Sequence, residues 1–155
     1  VKQVKNSADF IGLNYYTHVL TSPFLPQTTE IDLPSRNHET VTEFGYPMYA
    51  EGLDRASKWL VKLNLPIEIT ENGVADKEDN LRPEHLKRHL WMIAKLIQEG
   101  IDIKSYYHWS LMDNFEWAEG YTMRFGLYHV DYETQTRTLR ASGKAYQSII
   151  KQHQK

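Results

Sequence analysis

The residue best placed to do chemistry is Glu71, in the run PIEITENG at residues 66–73. Proline can open a strand and the β-branched residues that follow suit a buried, pleated surface, whereas Asn-Gly is a turn signal. Glu71 therefore lies where a strand becomes a loop, and strict alternation predicts that it shares a face with Ile67 and Ile69. Catalytic groups of parallel α/β folds collect at such strand ends. A glutamate that only caps a helix or a loop is the alternative interpretation.

A second cluster of polar and aromatic side chains is the run YHWSLMDNFEW at residues 107–117, at the end of another predicted strand. Indole faces stack on the C–H surfaces of sugars, and carboxylates accept hydrogen bonds from hydroxyl groups. Aromatic residues make up 12% of the chain, with ten Tyr and four Trp, and they crowd its last third. These features favour a carbohydrate-binding surface near Glu71.

The elements that must position these groups alternate between strand and helix. We predict strands at residues 9–16, 66–71 and 101–109, helices at 52–63 and 83–99, a hairpin at 124–138 and a short helix at 142–151. This alternation predicts parallel strands joined by right-handed crossovers. A long irregular segment is predicted at 21–49, which contains four of the six prolines. The apolar stripes expected to face the core are Leu53, Ala56, Leu60 and Leu63 in the first helix, and Leu86, Leu90, Ile93, Ala94 and Ile97 in the second.

The composition is that of an ordinary globular protein. The chain has 155 residues, of which 41% are hydrophobic and 25% charged, with a net charge of -2. No basic excess points to nucleic acid, and no apolar run approaches the ~20 residues that span a bilayer. We therefore expect neither nucleic acid nor a membrane as a partner. The chain contains no cysteine, which fits a reducing compartment, and we expect a cytoplasmic protein.

Three motifs together resemble glycoside hydrolase family 1, the retaining β-glucosidases and β-galactosidases. They are DFIGLNYY at residues 9–16, ITENG at 69–73 and WSLMDNFEW at 109–117. The resemblance continues through YAEGL at 49–53, where the family usually has proline in place of Ala50, and through RFGL at 124–127. It covers essentially the whole chain, in order.

The resemblance implies an α/β fold, the (β/α)8 TIM barrel of that family. The predicted strands resemble the sixth, seventh and eighth strands of the barrel. A complete barrel takes about 250 residues or more, so we expect residues 1–155 to be the C-terminal fragment of a single barrel domain.

The resemblance also implies roles for individual residues. Glu71 resembles the catalytic nucleophile, which attacks the anomeric carbon and forms a covalent glycosyl-enzyme intermediate. Tyr16 resembles the tyrosine that orients this carboxylate, and Asn14 lies beside it on the same strand face. Four residues resemble the family's sugar subsite. Trp109 resembles its floor, and Glu116 and Trp117 resemble the pair that binds the outer hydroxyls. Phe125 resembles the residue at its rim. The peptide bond between Trp109 and Ser110 is expected to be cis, as it is in the family.

The general acid/base of a retaining glycosidase is missing. The family supplies it from a Thr-x-Asn-Glu-Pro motif after its fourth strand, and the sequence contains no such motif. We therefore expect the chain by itself to be inactive, and to bind the missing N-terminal half of the barrel or to self-associate. One alternative is a non-catalytic family member that binds a sugar or a protein. The other is a thioglucosidase, in which a glutamine replaces the acid/base.

We expect no metal and no cofactor. His85 and His89 have the i, i+4 spacing of a zinc-binding pair on a helix, but no third ligand is evident and we expect them to face solvent. Asp113 is expected to be a structural hydrogen-bonding group of its loop. His108 is expected to pack in the core, because it alternates with Trp109.

Two further expectations concern charge. Glu68 is expected to face the helices and to pair with Lys104, because neighbouring strands lie ~4.8 Å apart and opposite charges can meet across them. Family members that cleave 6-phosphorylated sugars carry serine in place of Glu116, and lysine and tyrosine in place of Met123 and Phe125. The resemblance therefore implies a neutral sugar as substrate.

Overall fold

The structure, a computed structural model, describes residues 7–19 and 38–153. Its elements are, in order, β1 (Ile11–Asn14), α1 (Glu51–Leu60), β2 (Ile67–Asn72), α2 (Arg82–Gln98), β3 (Ile103–His108), β4 (Tyr128–Val130), β5 (Arg137–Leu139) and α3 (Ala141–His153). Short 3₁₀ helices lie at Val61–Leu63 and Trp117–Glu119. The predicted order of elements is confirmed. Much of the predicted irregular segment, residues 21–37, lies outside the described residues.

Strands β1, β2 and β3 form a parallel sheet in that order. Helices α1 and α2 cover one face of the sheet, where Leu53 and Ile93 form a buried core with Ile67 and Ile69 of β2. Strands β4 and β5 form a separate antiparallel hairpin, and α3 packs against α2. The carboxyl ends of the three parallel strands therefore lie side by side, as the alternation of strand and helix predicts.

The prediction that Glu71 shares a face with Ile67 and Ile69 is wrong. Both isoleucines face the helices, whereas the Glu71 carboxylate meets Tyr16 on the other side of the sheet. The cause is an irregularity in the pairing with β1: Ile69 and Glu71 pair with consecutive residues, so Thr70 is an extra residue in β2. A bulge of this kind re-aims the side chain that follows it.

The predicted ion pair between Glu68 and Lys104 is also wrong. Glu68 alternates with Ile67 and so lies on the face away from the helices. A register irregularity next to Ile67 places Ser105, not Lys104, opposite Glu68. The Lys104 ammonium pairs instead with Asp102 at 2.7 Å.

The helices bury stripes that only partly match the prediction. In α1, Leu53 and Ser57 are buried, but Leu63, just beyond the helix, is 53% exposed. The buried residues of α2 are Arg82, His85, Leu86, His89, Met92, Ile93 and Leu96. Ala94 and Ile97 are exposed, because the buried face is centred on the two histidines and not on the apolar pattern alone. No helix within the described residues is both long and apolar enough to cross a membrane.

His85 and His89 are buried, so the prediction that they face solvent is wrong. Their rings stack with centroids 3.9 Å apart, and His89 Nδ1 lies 2.8 Å from the His85 carbonyl oxygen. Burial lowers the pKa of His89 to about 4 and holds the pKa of His85 well below its ordinary value. Both rings are therefore neutral near pH 7. Across residues 7–19 and 38–153 there is no group of three or more acidic or histidine side chains that could hold a metal ion.

Candidate active site

Glu71 and Tyr16 meet at the carboxyl ends of β1 and β2. The Tyr16 hydroxyl donates a hydrogen bond of 2.6 Å to Glu71 Oε2. Burial raises the pKa of Tyr16 far above its ordinary value of 10.0, and the hydrogen bond and charge of Glu71 raise it further. Tyr16 therefore remains a protonated donor, and it fixes the direction in which the carboxylate points.

Asn14 lies next to Glu71 in the strand pairing, but its side chain contacts a different residue. Thr70, the extra residue of the bulge, donates a hydrogen bond of 2.7 Å from Oγ1 to Asn14 Oδ1. The contact joins β1 to β2 one residue before the carboxylate. Asn14 thus supports the strand end without a direct hydrogen bond from its side chain to Glu71 among those that the structure shows.

Trp109 lies at the carboxyl end of β3, and its backbone N–H donates to the Asn72 carbonyl oxygen at 2.9 Å. The peptide bond between Trp109 and Ser110 is cis, as the resemblance implied. Gly73 passes so close that an added Cβ would lie 1.7 Å from the Trp109 carbonyl oxygen. Only glycine fits at this position, and its absence of a side chain lets the indole-bearing segment lie directly against the end of β2.

The loop after β3 carries the remaining predicted sugar-subsite residues. Phe125 is 4% exposed and packs edge to face against Tyr16, with ring centroids 6.2 Å apart. Glu116 is close enough to Tyr16 for its charge to add to the rise in pKa that burial causes there. Trp117 is 83% exposed, with a positive φ of 43°. The loop therefore brings the ring of Phe125 and the charge of Glu116 close to Tyr16, the hydrogen-bond donor of Glu71.

Two further aromatic residues near Phe125 were missed in the sequence. Phe44 packs against Phe125 at a centroid distance of 5.9 Å and against Tyr46 at 4.7 Å. Burial raises the pKa of Tyr46, and the charge of Glu116 adds to this effect. Both rings belong to a segment without regular periodicity, so nothing in the local pattern indicated that they reach the strand ends.

Buried charges stabilise the loop that follows β3. Asp113 is 3% exposed and accepts hydrogen bonds from the backbone N–H groups of Gly126 at 2.9 Å and Val130 at 3.1 Å. Its carboxylate also pairs with the guanidinium groups of Arg140 at 2.9 Å and Arg124 at 3.5 Å. The prediction that Asp113 is a structural hydrogen-bonding group is confirmed.

His108 packs in the core, as predicted. Its ring lies near Tyr146 of α3, at a centroid distance of 6.3 Å, and its Nδ1 is 3.5 Å from the Tyr106 hydroxyl. Burial lowers the pKa of His108 to about 3. The ring is therefore a neutral core group on the helix side of β3.

The sequence matches the profile described as Glycosyl hydrolase family 1 over residues 1–155. The chain belongs to this family. Its relatives include a β-galactosidase of Sulfolobus acidocaldarius, 36% identical over 97% of the chain and 33% of the relative. β-Glucosidase A of Thermotoga maritima is 37% identical over 97% of the chain and 36% of the relative. A solved family 1 β-glucosidase from Thermotoga maritima superposes with a TM-score of 0.87 at 37% identity, covering 97% of this chain and 36% of that one.

Family 1 membership and these coverages confirm the predicted fold class. The chain spans about a third of the length of the relatives that it matches. Its three parallel strands and their helices are therefore part of an α/β barrel, and the prediction of an incomplete (β/α)8 barrel is confirmed.

Proposed function

We propose that the chain is the C-terminal part of a retaining β-glycosidase that hydrolyses β-D-glucosides or related neutral β-glycosides, with Glu71 as its nucleophile. The observation that carries the proposal is the hydrogen bond of 2.6 Å that Tyr16 donates to Glu71 at the strand ends. The names of the family 1 relatives, β-galactosidase and β-glucosidase, support the substrate class. They do not favour a non-catalytic binding protein or a thioglucosidase.

The chemistry divides between this chain and the missing part of the barrel. Glu71 attacks the anomeric carbon and forms a glycosyl ester, while an acid/base carboxyl from the missing part protonates the leaving oxygen. The same carboxyl then removes a proton from the water that hydrolyses the ester. In this chain, Tyr16 orients Glu71 and Asn14 supports the strand end beside it.

We assign the sugar subsite to the face of the sheet away from the helices, next to Glu71. Trp109 forms its floor, Glu116 and Trp117 bind the outer hydroxyls, and Phe125 closes the rim. An exposed indole and a carboxylate suit the apolar and polar faces of a pyranose.

We infer that residues 1–155 form part of one barrel domain, whose N-terminal part docks on the open sides of this chain. Within residues 7–19 and 38–153, strands β1 and β3 are the edges of the sheet, and closed barrels have no such edges. On α1, Glu51 and Asp54 form ion pairs with α2, and Lys58 pairs with Glu99 directly after α2. Helical periodicity places Trp59, which is 62% exposed, on the flank away from α2. This flank and the face of the sheet away from the helices are the surfaces that a preceding barrel unit would cover.

Reconstitution tests the proposal. The purified chain is assayed with nitrophenyl β-glucoside, by itself and together with the remaining N-terminal part of a family 1 barrel. We expect turnover only from the mixture, because general acid/base assistance is worth typically ~10²–10⁴-fold. The chain by itself is expected to dimerise or aggregate. Full turnover by a monodisperse monomer without the N-terminal part would contradict the proposal that the missing part supplies the acid/base carboxyl.

Substrate charge gives a second test. Glu116 on the sugar subsite would repel a 6-phosphate, and at ~4 Å this costs on the order of 4 kcal/mol per unit charge at an effective dielectric constant near 20. We therefore expect the reconstituted barrel to prefer an aryl β-glucoside over its 6-phosphate by roughly a thousandfold in kcat/KM at pH 7. Comparable turnover of the two would show that Glu116 is wrongly assigned.

The absence of cysteine from the sequence also supports a reducing, cytoplasmic compartment for the protein. Fractionation of the producing cells tests this location, and recovery outside the cytoplasm would contradict it.

A further inference from the structure

Asn72 is a buried polar residue directly after the proposed nucleophile. Its side chain is 0% exposed and makes two hydrogen bonds. Nδ2 donates to the Tyr15 carbonyl oxygen at 2.7 Å, and Oδ1 accepts from the Tyr106 hydroxyl at 3.0 Å. The Asn72 backbone carbonyl accepts from the Trp109 N–H at 2.9 Å. One residue of the central strand therefore binds both neighbouring strands at the edge where the site lies.

These contacts reach the site residues themselves. Tyr15 directly precedes Tyr16, and its backbone N–H donates to the Glu71 carbonyl oxygen at 2.9 Å. Trp109 is the proposed floor of the sugar subsite. A shift of Asn72 would therefore move the nucleophile, its hydrogen-bond donor and the indole relative to one another.

The backbone ladder is irregular at this position, although it keeps one hydrogen bond to each neighbouring strand. The register of β2 is irregular toward β1 at the bulge, and again toward β3 between Ile69 and Asn72. Because a bulge disrupts the ladder locally, side-chain hydrogen bonds add constraints there. The two side-chain bonds of Asn72 lie across these irregularities.

The chemistry of the position requires an amide. A carbonyl oxygen on one side needs a donor, and a phenol on the other side needs an acceptor. Tyr106 is a donor at all ordinary pH values, because burial raises its pKa far above 10.0. Aspartate would present an oxygen to the Tyr15 carbonyl, and leucine would leave both partners buried without a bond.

We propose that Asn72, held by Tyr106, is a positioning residue that fixes Glu71, Tyr16 and Trp109 in their reactive arrangement. The inference rests on the proposed function, and it adds a residue that acts through others and touches no substrate. Misplacement of reacting groups by about 1 Å can cost ~10²-fold in rate.

The test compares rates per active site, so that loss of folded protein does not count as loss of positioning. Asn72→Asp and Tyr106→Phe are introduced into the reconstituted barrel, and the sites are counted by the burst of dinitrophenol from a slowly hydrolysed fluoroglucoside. For Asn72→Asp we expect the rate of covalent labelling per site to fall about 10- to 100-fold, with a smaller fall for Tyr106→Phe.

Matched controls make the same chemical changes elsewhere. Asn64→Asp lies at the exposed start of the segment that leads into β2, and Tyr146→Phe changes a ring 6.1 Å from Tyr106. Both controls should keep the unmodified rate per site. A purely structural role for Asn72 predicts fewer sites with an unchanged rate at each, and that result would overturn the inference.

Two further outcomes remain decisive. If Asn72→Asp does not assemble, a rate per site for Tyr106→Phe within about twofold of the unmodified barrel overturns the inference. If the unmodified assembly shows no turnover, the proposed function fails, and a crystal structure of the Tyr106→Phe assembly tests the positioning separately. A Tyr16–Glu71 hydrogen bond unchanged from 2.6 Å would then contradict it, and a lengthened one would support it.

Discussion

The hydrogen bond between Tyr16 and Glu71 is the contact through which single residues most directly affect the proposed reaction. Tyr16→Phe removes the donor but keeps the ring that packs on Phe125. We expect glycosyl-enzyme formation to slow about 10- to 100-fold, because the carboxylate loses its fixed direction.

The rate of covalent labelling per active site of the reconstituted barrel checks this prediction. Tyr146→Phe is the matched control, because it removes a phenolic hydroxyl of α3 on the helix side of β3, the face opposite Glu71. A labelling rate for Tyr16→Phe equal to that of the unmodified barrel would show that the hydrogen bond does not act on the nucleophile.

At the residue scale, the sequence indicated the groups that lie within short motifs. Glu71 was proposed from the run that ends its strand, and the roles proposed for Tyr16 and Trp109 came from the resemblance of short motifs to family 1. Asn72 was interpreted only as part of a turn signal, because its role depends on Tyr15 and Tyr106, which are distant in the chain. Contacts across strands leave no local pattern from which they could be predicted.

At the scale of elements, the buried histidines under β2 and β3 make stability depend on pH. His89 has a pKa of about 4 in the folded chain against an ordinary value of 6.5, and His108 about 3. Because the folded pKa lies below the unfolded one, the contribution is fully present above about pH 6.5. It is lost as the pH falls toward 4, since the unfolded chain then binds more protons.

His89→Leu is expected to weaken this pH dependence. Between pH 7 and pH 5, His89 accounts for about 2 kcal/mol of lost stability, at about 1.4 kcal/mol per pKa unit. Urea unfolding of the reconstituted barrel at the two pH values measures the difference. His153→Gln, at the exposed end of α3, should leave it unchanged. An unfolding free energy that falls equally in His89→Leu and in the unmodified barrel would mean that this ring does not titrate on unfolding.

Element order and type followed from periodicity, but the faces of the elements did not. One extra residue, Thr70, reversed the alternation along β2 and brought Glu71 to the face opposite Ile69. In α2, His85 and His89 lie at buried positions that a hydrophobicity pattern assigns to solvent. Bulges and buried polar residues are set by tertiary packing, so the sequence pattern did not show them.

At the scale of the whole molecule, the flank of α1 should determine whether the two parts of the barrel assemble. Trp59 and Trp91 are similarly exposed, at 62% and 64%, but Trp91 lies on the outward side of α2. Trp59→Glu should weaken assembly by ~10–100-fold, because burying a large apolar side chain contributes about 1.5–3 kcal/mol. Trp91→Glu is the matched control and should assemble normally.

Each variant chain is titrated with the N-terminal part, and the recovered turnover is measured. The titrations give the dissociation constants for Trp59→Glu and for Trp91→Glu. Equal weakening by both substitutions would place the missing part elsewhere. The expectation of such a part came from the sequence, because a whole motif was absent. The flank that we propose it covers could not be predicted, since Trp59 belongs to no motif and its position depends on how α1 packs beside α2.

The most direct test of the proposed nucleophile is to trap the covalent intermediate. The reconstituted barrel is treated with dinitrophenyl 2-deoxy-2-fluoro-β-glucoside, digested, and the labelled peptide is sequenced by mass spectrometry. We expect one fluoroglucosyl group per active site, attached to Glu71, and no label in the Glu71→Gln variant. A label on any other residue, or turnover by Glu71→Gln equal to that of the unmodified barrel, would contradict the assignment.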